Sequence, residues 1–164
     1  MVEGLKEAGF AGSVEAGRAI IRHQIAISGP ALPWNDPGLF AEAMLSWEMR
    51  SYEIARQQVG RVFFDRGVPD TLGYLRLSGL SAPSHMQKAA DLFRYNRRVF
   101  ILPPWPEIFH ADSERKQSLA EAERTYHAML EAYTSNGYEL VVVPRAPVQD
   151  RLRFILQRAD LSTA

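Results

Sequence analysis

Arg61-Val62-Phe63-Phe64-Asp65-Arg66-Gly67 is the stretch on which the reading of this chain turns. Three apolar residues in a row, without polar alternation, predict a strand buried on both faces, as in a parallel sheet. Asp65-Arg66-Gly67 ends the run and delivers two charged side chains at its carboxyl end. The same kind of run recurs on either side. Phe10 to Val14, Arg98 to Leu102 (stopped by Pro103-Pro104) and Tyr138 to Val143 are further candidate strands. Helical patterns separate them: residues 2–9, 16–27, 37 to about 57, 69–78, a helix opening at Ser84, about 116 to 134, and 147–160. Strands alternating with helices predict an α/β fold, a single domain over residues 1–164 with a mostly parallel sheet and helices on both faces.

Local chemistry sharpens several of these boundaries. Asp36-Pro37 sets a capping carboxylate before a proline at the first helical position. The helix that follows carries Phe40, Ala43, Met44, Trp47, Ser51 and Ile54, an apolar stripe broken only by the serine. Ser84-His85-Met86-Gln87 fits a capping box. Leu119, Ala122, Tyr126, Met129, Leu130 and Tyr133 share one face of the long helix, which Asn136-Gly137 ends.

Composition excludes whole classes. The 164 residues suffice to bury a sizeable core. Nineteen Lys and Arg balance nineteen Asp and Glu, so no global field draws the chain to nucleic acid, and no nucleic-acid partner is expected. Sixteen of the cations are Arg, a total that a GC-rich genome accounts for; bidentate contacts to phosphate and carboxylate are expected only at particular positions. The absence of cysteine excludes a disulfide scaffold, a thiolate metal site and a cysteine nucleophile. The four histidines lack metal-binding spacing, so no site built from protein nitrogen is expected. No apolar run approaches a membrane span, and MVEGLKEAGF is no secretion signal, so the expected location is cytoplasmic.

Ligands of open parallel sheets bind beyond the carboxyl ends of the strands. Beyond the first candidate strand stand Glu15 and Arg18, spaced i, i+3 at a helix start. Beyond the second stand Asp65 and Arg66, beyond the third Pro103-Pro104-Trp105, and beyond the fourth Pro144-Arg145-Ala146-Pro147. An apolar strand ending in Asp is the Walker B layout, in which the carboxylate holds Mg²⁺ or takes a proton from a phosphoryl acceptor. The adjoining Arg can grip a phosphate with its fork. The same Asp-Arg-Gly also makes an ordinary turn with an ion pair. Asp112-Ser113-Glu114-Arg115-Lys116 fits either a basic segment closing over phosphates or a solvated helix start. Trp34, in the loop SGPALPWNDPG, suits either stacking on a planar substrate or anchoring its loop. Tyr95-Asn96-Arg97-Arg98 reads as a capped strand start.

Six segments in order carry a resemblance: EAGRAIIRHQ, GPALPWNDP, VFFDRGVPDTLGYL, RYNRRVFILPPWPEIF, DSERKQ and GYELVVVPRAPVQDRLRFIL. Together, over Glu3 to Arg158, they resemble the predicted AAA-like ATPases of the P-loop NTPase superfamily, grouped with the nicotinamide-riboside kinase domain of NadR. The resemblance implies ATP and Mg²⁺ as cofactors and kinase-like phosphoryl transfer to a small-molecule acceptor. It implies that Asp65 is the Mg²⁺ ligand or base, and that Glu15 and Arg18 lie near the acceptor. It implies that Arg115 is the lid arginine, joining Arg66 in neutralising charge, and that Arg145, Ala146 and Pro147 lie near the nucleotide base. Two alternatives stand beside it: a nucleotide- or lipid-binding module without turnover, and a degenerate remnant acting as an interaction protein.

The chain departs from that family in one respect. The family opens with a strand, a G-x-x-x-x-G-K-[ST] loop and a helix, and no such motif occurs among these residues. Gly4, Gly9 and Gly12 are not followed by Lys-Ser or Lys-Thr, and MVEGLKEAGF aligns with the stretch after the loop. The expectation is an N-terminally truncated domain, with Met1 an internal methionine of a longer natural protein and little activity in these residues alone. The family's strand order, 2-3-1-4-5, puts the absent strand at the centre. The strands ending at Val14 and Phe64 are then expected on one side of a gap, and those ending at Leu102 and Val143 on the other. An open sheet of this kind is compatible with an oligomer.

Overall fold

The computed structural model describes residues 1–108 and 118–160, and its elements begin and end where local chemistry directs. Helix α1 (Val2–Glu7) stops ahead of Gly9, whose φ of 91° is left-handed. Strand β1 (Ala11–Gly12) leads to α2 (Ala16–Ala26). Helix α3 (Pro37–Arg56) opens where the Leu39 amide donates to the Asp36 carboxylate at 2.9 Å, as Asp36-Pro37 predicts. Strand β2 (Val62–Phe63), α4 (Val68–Leu77), α5 (Ser84–Leu92) and β3 (Arg98–Ile101) follow. A 3₁₀ turn (Pro106–Ile108) precedes α6 (Leu119–Ser135), β4 (Glu139–Val142) and α7 (Val148–Asp160).

Two boundary expectations need correction. Ser84 is not a cap: Pro83, in extended conformation, takes that position, and Ser84 is the first helical residue. The Gln87 side chain is spent elsewhere, donating to Asn136 at 2.9 Å and Asp91 at 3.3 Å. A capping box forms instead at α6. There the Ser118 amide donates to Glu121 at 2.6 Å and the Glu121 amide to Ser118 Oγ at 3.2 Å. The strands at Phe10–Val14 and Arg61–Phe64 shorten to two paired residues each.

The strands form two separate parallel pairs. β1 pairs with β2 in the register Ala11↔Val62 and Gly12↔Phe63. β3 pairs with β4 from Arg98↔Glu139 to Ile101↔Val142. No ladder joins β2 to β3 among the described residues, so the expected gap lies between them. Both pairs nevertheless contribute to one face. Phe63 of β2 and Phe100 of β3 pack on the same buried cluster of Leu5, Val143 and Ile155, which belongs to α1, the end of β4 and α7.

The densest packing is helical. Ala41 and Leu45 of α3 meet Val68, Leu72 and Leu75 of α4 and Met86, Ala89 and Ala90 of α5. A second cluster joins Ala16 and Ile20 of α2 to Phe40. The stripe predicted for α3 thus has Phe40, Ala43, Met44 and Trp47 on the α2 side. It misses the second buried row of Ala41, Leu45 and Glu48, and Ile54 is 43% exposed. No described helix is long and apolar enough to cross a membrane.

Candidate functional site

An open cleft of about 2250 Å³ lies between β2 and β3. β2 delivers Asp65 and Arg66 to it, and the start of α2 delivers Glu15 and Arg18. The two strand ends are tied together. The Ser13 amide donates to the Phe63 carbonyl at 2.9 Å, and the Asp65 amide donates to Ser13 Oγ at 2.8 Å. The Asp65 side chain itself is exposed.

Arg66 adopts φ 87°, left-handed backbone that a branched or long side chain rarely takes. Its guanidinium reaches Asp70 in the first turn of α4 at 3.3 Å. Asp70 also accepts from the Gly67 amide at 2.8 Å and from the Tyr133 hydroxyl of α6. One carboxylate therefore fixes the turn, the arginine and the neighbouring helix. The Asp70 charge pushes the Arg66 guanidinium still further up, so it stays cationic. Gly67 is required by close approach. A Cβ there would lie 2.9 Å from the Tyr95 ring, whose hydroxyl accepts from the Val68 amide at 3.1 Å.

Glu48 was not among the residues singled out from sequence. It is 2% exposed on α3, and its Oε2 has no hydrogen-bond partner. Burial pushes its carboxyl up to about 8, with the Asp70 charge adding to the shift. Asp65 and Glu15 act on it in the same direction, and Arg66 opposes them. A glutamate in a helix surface pattern carries no local mark of burial. The only signal was its place three residues beyond Leu45 on the row facing α4.

Glu15 Oε2 and Arg18 Nε pair at 3.3 Å, as the i, i+3 spacing predicts. Trp34 lines the cleft and is 66% exposed, an unusual position for a large ring. Glu15, Arg18, Trp34, Asp65 and Arg66 thus share one cleft. Arg145, Ala146 and Pro147 do not line it; Arg145 borders a small separate recess beside Trp105 and Arg151. Arg115, with its neighbours from Asp112 to Lys116, lies outside the described residues. At the start of β3, Asn96 Oδ1 accepts from the Arg98 amide at 3.0 Å, the cap predicted there.

The donor set fits Mg²⁺ in one specific way. No group of three His, Cys, Asp or Glu side chains converges among the described residues. Mg²⁺ bound with a nucleotide needs only one or two carboxylates, the phosphates and water completing its octahedron. Asp65 is one exposed carboxylate on the cleft, the least that such binding requires. Arg66 and Arg18 are cations on the same cleft, each paired with a carboxylate, Asp70 and Glu15 respectively.

Comparison with curated proteins and with solved structures returned no match. A family model described as an AAA domain does match, over residues 1–151. With the α/β architecture and the acidic strand end in view, that match shows that the chain belongs to this AAA domain family, of the nucleotide-binding P-loop NTPase type.

Proposed function

We propose that the cleft is the site of an ATP-dependent, kinase-like phosphoryl transfer to a small molecule. The observation that supports it best is the convergence of Asp65-Arg66 and Glu15-Arg18 on one cleft, tied through Ser13. Bound Mg·ATP supplies the transferable phosphoryl group. Asp65 holds the Mg²⁺ or takes the acceptor's proton. Arg66, held by Asp70, meets phosphate charge, and its fixed position avoids reorganisation as that charge develops. Glu15 and Arg18 orient the acceptor, and Trp34 covers a planar face of it. Arg115 neutralises phosphate charge.

A second reading is a nucleotide-binding module without turnover. Calorimetric titration of Mg·ATP into the chain and into Asp65→Ala tests the first part. Mg²⁺-dependent binding weakened roughly tenfold in the variant, about 1.4 kcal/mol, supports it. Equal binding with chelator, or in the variant, contradicts it. An acceptor screen with Asp65→Ala as the blank then separates the two readings. Phosphoryl transfer above the blank favours the kinase, and Mg²⁺-dependent binding with none favours the module.

A further inference from the structure

Helix α2 packs one side on α3 and turns another to the cleft. Ala16 and Ile20 pack on Phe40. Arg18, Ile21, Arg22 and Ile25, spaced i, i+3, i+4 and i+7, form a second strip, and all four line the cleft. Ile25 is 59% exposed. Arg18 is paired with Glu15. Arg22, between the two isoleucines, is exposed and its side chain has no partner among the described residues. The loop after α2 brings a ring to the same cleft, where Pro33 and Trp34 continue the wall. That loop is braced from within. The Ala31 amide donates to Gln24 Oε1 at 3.1 Å, and Asn35 Nδ2 to the Pro30 carbonyl at 3.0 Å. The Asn35 and Asp36 amides both donate to the Leu32 carbonyl, at 3.0 and 2.9 Å. A ring on a braced loop loses little freedom when a ligand covers it.

A guanidinium without a partner, an exposed indole and aliphatic surface complement an acid carried on a planar, apolar body. Position along α2 sets the scale. Glu15, beside the reacting end of the cleft, and Arg22 are separated by two helical turns, about 10 Å. We propose that the phosphoryl acceptor is an elongated aromatic hydroxy acid. Its hydroxyl lies beside Glu15 and Asp65, its rings lie on Ile21, Ile25 and Trp34, and its carboxylate sits in the fork of Arg22. This rests on the kinase-like reading and names the class of molecule that the transfer serves. The acceptor oxygen bonds to the γ-phosphorus of ATP, the bond from that phosphorus to ADP breaks, and the hydroxyl proton passes to a cleft carboxylate.

The probes are para-(hydroxymethyl)benzoate, its biphenyl homologue and the carboxamide of that homologue. Each is titrated calorimetrically, without nucleotide, into the full chain, Arg22→Gln and Trp34→Ala. The biphenyl acid is expected to bind roughly tenfold more tightly than its carboxamide, and Arg22→Gln to abolish that preference. The single-ring acid, too short to reach from Glu15 to Arg22, is expected to bind more weakly than the biphenyl acid. Trp34→Ala is expected to weaken the biphenyl acid and carboxamide alike, because a ring contact does not distinguish their charge. Equal binding of acid and carboxamide, a preference that survives Arg22→Gln, tighter binding of the shorter acid, or no loss in Trp34→Ala overturns the proposal. Phosphoryl transfer from Mg·ATP is measured separately. Arg22-dependent binding without transfer above an Asp65→Ala blank overturns the kinase-like reading, and the acceptor role with it. Transfer to the acid and the carboxamide with equal kcat/KM overturns the acceptor class alone.

Discussion

The helical side of this molecule and its strand layer are packed in opposite senses. Ala41, Val68 and Ala90 are fully buried and Met86 is 1% exposed where α3, α4 and α5 meet. No residue of β1, β2, β3 or β4 is buried to that degree. In a parallel sheet covered by helices the strands ordinarily form the most buried layer. Here the order is inverted, because the layer is divided between β2 and β3 and each pair keeps an open edge. Stability therefore resides in helix packing, while the strand ends position Asp65, Arg66 and Glu15 beside an open cleft. A site on a loosely held layer needs a separate anchor. Asp70 supplies it by joining Arg66, the Gly67 turn and Tyr133 of the well-packed helix α6.

Substitutions on the two sides should separate accordingly. Met86→Ala removes a buried side chain from the helical cluster and is expected to cost about 2–5 kcal/mol in urea unfolding. A cost near zero would mean that the cluster does not carry the fold. Asp70→Ala strands the Tyr133 hydroxyl and the Gly67 amide and releases Arg66. About 1–3 kcal/mol is expected, together with weaker Mg·ATP binding. Loss of stability without any effect on binding would detach Arg66 from the site.

Glu48 adds a pH dependence to the helical side. The unfolded chain releases this proton near pH 4.5, whereas the folded chain keeps it to about pH 8. Between those values the folded state binds more protons, so this residue's contribution to stability falls as pH rises through the window. Glu48→Gln should flatten that fall in urea midpoints measured from pH 5 to 8; an unchanged slope would assign it to other groups. Asp65→Ala should have the smallest effect on stability, within about 0.5 kcal/mol, because its side chain is exposed and its amide keeps the bond to Ser13. A larger loss would make Asp65 a structural turn residue.

What sequence made legible follows from how local each cause is. Asp36 caps α3 through its own third neighbour, and Gly137 stops α6 through its own φ, so both boundaries could be read directly. The strand pairs and the gap between them followed from short apolar runs set against a known strand order. Ser84 was misread because Pro83, one residue earlier, already supplies the cap. Glu48, the Asp70–Tyr133 bond and the left-handed Arg66 depend on partners brought together by the fold; Asp70 and Tyr133 lie 63 residues apart. Glu15, Arg18, Asp65 and Arg66 converge because they follow neighbouring strands, and Trp34 joins them from the loop after α2. Arg145 to Pro147 do not, because they follow β4, on the far side of β3 from the cleft.

Native-state hydrogen exchange on the chain without added ligand measures the contrast most directly. The account predicts that amides of α3 and α4, such as those of Leu45, Leu72 and Leu75, exchange only through global unfolding, while Val62, Phe63, Val99 and Phe100 exchange through much smaller openings. Protection in β2 and β3 equal to that of α3 and α4 would contradict it, showing the strand layer to be as tightly held as the helices.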